Sequence, residues 1–160
     1  MTDTPNSPAT DEVSIIVNAP ASRCYDLVSD ITQMGRISPE CTGGRWIGGA
    51  TAPEVGARFI GTNKRGFVRW FTFNKVVAAE PAKQFAFQTR DTKMVWSYRF
   101  DGDGESTTVT ESRSAVGPRP ALPRFFARFL LGGGEEHEQE LREGMRATLE
   151  RLKAVAESDS

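Results

Sequence analysis

Glu111 is the acidic residue best placed to do chemistry. It lies in the strand-like run 107–112 (TTVTES), two residues after Val109 and therefore on the same strand face. Across the turn at 101–104 (DGDG), Trp96, Tyr98 and Phe100 alternate with Val95, Ser97 and Arg99. Val109 should share their aromatic face, and Glu111 with it. A carboxylate on such a face loses water, which raises its pKa toward values useful for general acid–base work. Arg113, two residues further on the same face, can pair with Glu111 or hold an acidic ligand group. The plainer reading puts this pair at the wet end of the sheet, or shifts its phase by a bulge. Tyr98 can donate a hydrogen bond to a carbonyl or hydroxyl in an interior space, or can simply pack the core.

Other chemistries lack their residues. The single histidine, His137, stands among glutamates at a helix start, with no partners at metal-ligand spacing. It reads as a solvated residue, and no metal or cofactor is expected. Cys24 and Cys41 are too few and too far apart for a disulfide scaffold or a zinc motif, and read as free thiols in a reducing compartment. No nucleophile elbow, phosphate loop or dinucleotide fingerprint is present, and Gly132-Gly133-Gly134 lacks the Lys and Ser/Thr that a phosphate loop needs. A net charge of −1 gives no global field for nucleic acid. The first apolar run, 13–17, is too short for a signal-peptide core, and no stretch is long enough to span a bilayer. The expected location is cytoplasmic.

The elements that must position Glu111 and Tyr98 follow from periodicity. Residues 1–11 are polar and read as a loose tail, as do 158–160; residues 12–157 read as one domain. Val13, Ile15 and Val17 mark a strand. Pro20 suits the first turn of a helix whose Cys24, Leu27, Val28 and Ile31 share one side, and a short second helix follows. Segments 44–48, 56–63, 67–78, 83–90, 93–101 and 106–115 then read as six strands, split by Gly-, Asp- and Pro-containing turns too short for anything but antiparallel neighbours. Residues 124–131 (RFFARFLL) read as a short helix. A long helix over 135–157 carries an apolar stripe of Leu141, Met145, Thr148, Leu149, Leu152 and Val155, with Glu138 placed to pair with Arg142. Seven antiparallel strands need one face covered, and only this helix is long enough. The expectation is an α+β helix-grip fold, a curved sheet around a long C-terminal helix.

Two local features bear on an interior space. In 67–73 (FVRWFTF) both alternation phases hold aromatics, so periodicity alone cannot choose the inner face. Gly144 interrupts a good helix at a cost of about 1 kcal/mol, which suits either close helix–sheet approach or room for a ligand. Arg119, Arg124 and Arg128 bracket Phe125, Phe126, Phe129, Leu130 and Leu131. That segment reads as a connector packing its apolar side on the sheet; a lid or a transient contact with acidic lipid stands beside that reading.

The phrases APASRCYDLVSDITQMGRISPEC (19–41), VGARFIGTNKRG (55–66), VVAAEPAKQFAFQ (76–88), WSYRF (96–100), TTVTES (107–112) and GMRATLERLKAVAE (144–157) resemble the polyketide cyclase/dehydrase and lipid-transport family of the START/Bet v 1-like superfamily. The actinobacterial members look most similar. The resemblance covers about 13–157. It implies an apolar ligand pocket between sheet and long helix, and it favours Trp70 and Thr72 inward with Arg69 outside. It brings no catalytic residue. Three functions remain open. The first is binding of a small hydrophobic molecule (a lipid, polyketide or aromatic compound) by Trp70, Thr72, Phe87, Trp96, Tyr98, Glu111, Arg113, Leu141, Met145 and Leu149, with Phe126 and Phe129 as gate. The second is a cyclase or dehydratase using Glu111 and Tyr98 as acid–base groups. The third is a protein-interaction role, such as half of a toxin–antitoxin pair. A monomer or homodimer fits each.

Overall fold

The computed structural model describes residues 10–115 and 135–158. The elements are β1 (Thr10–Val17), α1 (Ala21–Ser29), a 3-10 turn (Ile31–Gln33), α2 (Met34–Ile37), β2 (Cys41–Ile47), β3 (Arg58–Arg65), β4 (Val68–Glu80), β5 (Gln84–Thr89), β6 (Met94–Gly102), β7 (Thr107–Ala115) and α3 (Glu135–Ser158). All seven expected strands form. β1 starts at Thr10, ahead of the expected Val13, because Asp11 and Glu12 pair in register with Arg113 and Ser112. The helix expected over 124–131, the Gly132-Gly133-Gly134 break, and the gate residues Phe126 and Phe129 lie outside the described residues.

The strands make one antiparallel sheet in the order β1-β7-β6-β5-β4-β3-β2. β2 to β7 is a continuous meander, and β1 closes the far edge against β7. Turn chemistry makes the meander possible: Gly66 has φ +62° at the β3–β4 turn and Gly104 has φ +106° before β7, where a side chain would be strained. The register slips between Cys41 and Gly43 and between Val76 and Ala78. Such bulges bend strands, which suits a sheet that curves around a helix.

The concave face carries the core. Val13 and Val17 on β1, Phe59 on β3, Val76 on β4, Phe85 on β5, Tyr98 and Phe100 on β6 and Val109 on β7 all point inward and are buried. The last helix supplies Met145, Leu149, Leu152 and Ala156, with Thr148 buried among them. Met145, Thr148, Leu149 and Leu152 belong to the expected stripe, while Ala156 takes the final buried position and Val155 is only half-buried. Full burial of a leucine such as Leu149 or Leu152 contributes about 1.5–3 kcal/mol. Helix α3 packs on β1, β7, α1 and α2, while α1 packs on β5, β6 and β7. The Lys153 ammonium donates to the Ile16 carbonyl at 3.1 Å and so occupies part of the open β1 edge. The helix-grip architecture is therefore realised.

The phase of β4 is settled by its neighbours. Thr72 stands opposite Gly61, where a Cβ would lie 2.7 Å from the Thr72 hydroxyl, and Asn74 and Val76 are buried. Trp70 and Thr72 share that inner phase. Arg69, Phe71 and Phe73 occupy the outer one and are exposed.

Candidate functional site

Tyr98 and Glu111 face each other across the β6–β7 ladder. The Tyr98 hydroxyl donates to Glu111 Oε2 at 3.1 Å, and only 4% and 2% of the two residues is exposed. The second carboxyl oxygen, Oε1, is buried with no hydrogen-bond partner among the described residues. Burial pushes the Glu111 carboxyl up to about 8, against the opposing effect of the Tyr98 hydrogen bond. Burial, then the charge of Glu111, raises the Tyr98 phenol well above its ordinary value. At neutral pH Glu111 is therefore largely a neutral acid, able to donate as well as accept. A buried polar atom left without a partner costs about 1–3 kcal/mol, so Oε1 is a place where a bound polar atom would be stabilising.

Arg113 does not pair with Glu111. It stands one register step closer to the sheet end, opposite Asp11, and its guanidinium bonds the Asp11 carboxylate. Arg142 of α3 bonds the other Asp11 oxygen at 3.1 Å. Burial pushes the Asp11 carboxyl up, but the two guanidiniums outweigh it and hold it below the usual range. Asp11 thus ties β1, β7 and α3 together. The reach of Arg142 toward Asp11 stands where an i,i+4 pair with Glu138 was expected; the side chain of Glu138 lies outside the described residues.

Around Glu111 the inner face is aromatic. Trp96 neighbours Arg113 and Phe87 in register, and Trp46, Phe59, Phe87 and Phe85 form a chain of ring contacts with centroids 5.6, 5.3 and 6.1 Å apart. Trp46, Trp70, Thr72, Phe87 and Trp96 point inward yet are only half-buried. The main helix contacts fall on β1, β2, β5, β6 and β7, which leaves the inner face of β3 and β4 the least covered among the described residues. Met145 and Leu149 sit instead in the tight core under α3, at 2% and 0% exposure. The side chains of Leu141 and His137 lie outside the described residues.

A polar chain runs along the same face. The Thr89 hydroxyl donates to Asn74 Oδ1 at 2.9 Å, and Asn74 Nδ2 donates to the Thr72 hydroxyl at 3.0 Å. Asn63, opposite Trp70, has a buried Nδ2 without a partner among the described residues. Asn63, Asn74, Trp46, Phe59 and Asp11 join the site only in the structure. A signal existed for the two asparagines, since each falls in the inward phase of its strand. None existed for Asp11, whose neighbours look like a tail. At Gly144 a Cβ would meet nothing within 4 Å among the described residues, so close helix–sheet approach does not explain that glycine. Cys24 and Cys41 are free, and no group of three metal-ligating side chains occurs among the described residues.

Residues 9–157 match the family described as polyketide cyclase/dehydrase and lipid transport. The chain belongs to that family. Members of this polyketide cyclase/dehydrase family typically bind hydrophobic ligands. A polyketide-cyclase-like protein from Corynebacterium glutamicum, solved by NMR, is 34% identical, with a TM-score of 0.59 over 96% of this chain and 91% of that one. Major latex-like protein 151 of Panax ginseng shares the fold at 13% identity, with a TM-score of 0.65 over 94% of this chain and 99% of that one. DynU16, from the dynemicin biosynthetic locus, is 19% identical with a TM-score of 0.63; the match covers 94% of this chain and 48% of that one. None of the curated proteins matches the chain. No helix among the described residues is long and apolar enough to cross a membrane.

Proposed function

We propose that this protein binds a small hydrophobic molecule carrying at least one carbonyl or hydroxyl group, on the inner face between β3–β7 and α3. The observation that carries this reading is the pair of buried polar atoms, Glu111 Oε1 and Asn63 Nδ2, left without partners among the described residues on a face rich in aromatics. Apolar walls with a few convergent polar groups are the usual form of small-molecule sites. Trp70, Phe87 and Trp96 supply stacking area, and Thr72 offers a further hydroxyl. A neutral Glu111 donates to a ligand carbonyl while Tyr98 holds its other oxygen. Family membership supports the apolar class of ligand, and a polyketide, a lipid or an aromatic compound each fits it.

The test is native mass spectrometry of protein from its own host, then organic extraction of whatever it carries. A co-purifying apolar oxygenated compound, displaced when Trp96 is changed to Ala, is the expected result. Protein that is empty, and whose tryptophan fluorescence stays unmoved by a panel of lipids and polyketide aromatics, overturns the reading.

One observation favours an enzyme as the second reading. A carboxyl raised to about 8 beside a phenol is an acid–base pair suited to enolisation or dehydration near neutral pH. If Glu111→Gln keeps affinity for such a compound and abolishes its conversion, the protein is a cyclase or dehydratase; if no conversion occurs at all, it is a carrier.

A further inference from the structure

The outer face of the β3–β4 hairpin has a composition unlike the rest of the chain. Residues 55–79 hold Arg58, Lys64, Arg65, Arg69 and Lys75 and no Asp or Glu, in a protein whose net charge is −1. The register sets these cations in cross-strand pairs, Lys64 with Arg69 and Arg58 with Lys75, at the two ends of the ladder. Between them on the same face lie Phe71 opposite Thr62 and Phe73 opposite Ile60. Phe71 is 68% exposed, and Phe67, in the turn beside Gly66, is fully exposed. Val77, in the outer phase of β4, is also exposed. Arg90 lies over the Phe73 ring at 5.7 Å and adds a cation at the margin. Arg58, Lys64, Arg69 and Lys75 make no ion pair among the described residues.

We propose that this face, led by Phe67 at the hairpin turn, docks the protein on an anionic lipid bilayer. Exposed apolar patches on a soluble fold mark interaction sites, and here the charge names the partner. Aromatics sink into the headgroup region, while Lys and Arg stems lie along the apolar boundary and put their charges among lipid phosphates and carboxylates. A second copy presenting the same face would set these cations against each other. Single-stranded nucleic acid would gain stacking on Phe71 and Phe73, but nothing from aliphatic Val77. The docking itself does not depend on what the concave face holds.

The experiment is co-sedimentation of the protein with vesicles of phosphatidylcholine, alone and mixed with phosphatidylserine, at low and high salt. The expected result is binding to the mixed vesicles only, released by salt. Each cation removed weakens binding about five-fold, so the double variant Lys64→Ser, Arg69→Ser weakens it about twenty-five-fold. Phe67→Ser weakens it at least several-fold at unchanged charge. All three side chains are exposed, and unaltered thermal unfolding of the variants confirms an intact fold. Absence of binding to mixed vesicles at low salt overturns the proposal. So does binding that the variants leave unchanged, and so does tighter binding to a single-stranded oligonucleotide than to the vesicles.

Discussion

Replacing Glu111 by Gln should remove a pH dependence of stability that the wild-type protein carries. The carboxyl titrates at about 8 in the folded chain against an ordinary value of 4.5. The folded state therefore holds the proton more tightly than the unfolded chain does. Between these two values the native state binds more protons, so stability falls as pH rises, and it levels off above about 8. Each pKa unit corresponds to about 1.4 kcal/mol, so the full drop between acidic and alkaline limits is roughly 5 kcal/mol. Most of it, on the order of 3–4 kcal/mol, falls between pH ~5 and ~8. For a chain of this size that is a fall in Tm on the order of 10 °C. Gln keeps the shape and an oxygen for Tyr98 but cannot ionise. Urea unfolding of both proteins at a series of pH values measures the effect. Subtracting the variant's curve cancels the contributions of the other titrating groups. Parallel curves for the two proteins would refute a buried, proton-holding Glu111.

Tyr98→Phe removes the hydrogen bond that lowers the Glu111 pKa, so the same pH-dependent loss should extend to higher pH, by the same unfolding series. Asp11→Asn should cost about 1–3 kcal/mol at neutral pH by leaving Arg113 half-buried without its partner. Because the Asp11 carboxyl is held below its usual range, its stabilisation is present above that range and lost as pH falls through the folded value; hydrogen exchange of β1 amides at neutral and acid pH checks it. Gly44→Ala would place a Cβ 2.7 Å from the Ile31 carbonyl oxygen, and overpacking of this kind costs about 1–3 kcal/mol, read by thermal unfolding. Gly144→Ala meets nothing among the described residues and should stabilise α3 by up to about 1 kcal/mol in the same assay.

The sheet was legible because alternation is local. Trp96, Tyr98 and Phe100 declare one face of β6, and the short DGDG turn then forces Val109 and Glu111 onto it, which is how the Tyr98–Glu111 contact could be anticipated. The β4 phase was not legible from periodicity, because Phe71 and Phe73 are as apolar as Trp70. Their exposure reflects a surface property, and no core-packing rule encodes it. The partner of Arg113 was missed for a different reason. Register across β1 and β7 joins residues about a hundred positions apart, and a polar Asp11 in an apparent tail carries no sign of the strand it will enter. Asn63 and Asn74 sat in readable inward phases, but an asparagine in a strand declares its bonding partners only once the neighbouring strands are in place.

The strand order also constrains how the chain can assemble. β2 to β7 join neighbours in succession, over links of two to four residues except the ten between β2 and β3, so each hairpin can close as soon as it is made. β1 is made first but pairs only with β7, as Thr10 with Ser114 and Val17 with Thr107. Its contacts span nearly the whole described chain, the kind of long-range pairing that slows folding. During synthesis Val13, Ile15, Ile16 and Val17 must wait, apolar and unpaired, until β7 has emerged and α3 can cover the edge. The earliest of the seven strands is thus the last to be secured, and the interval before its capture is when a misfolded or chaperone-bound chain would form.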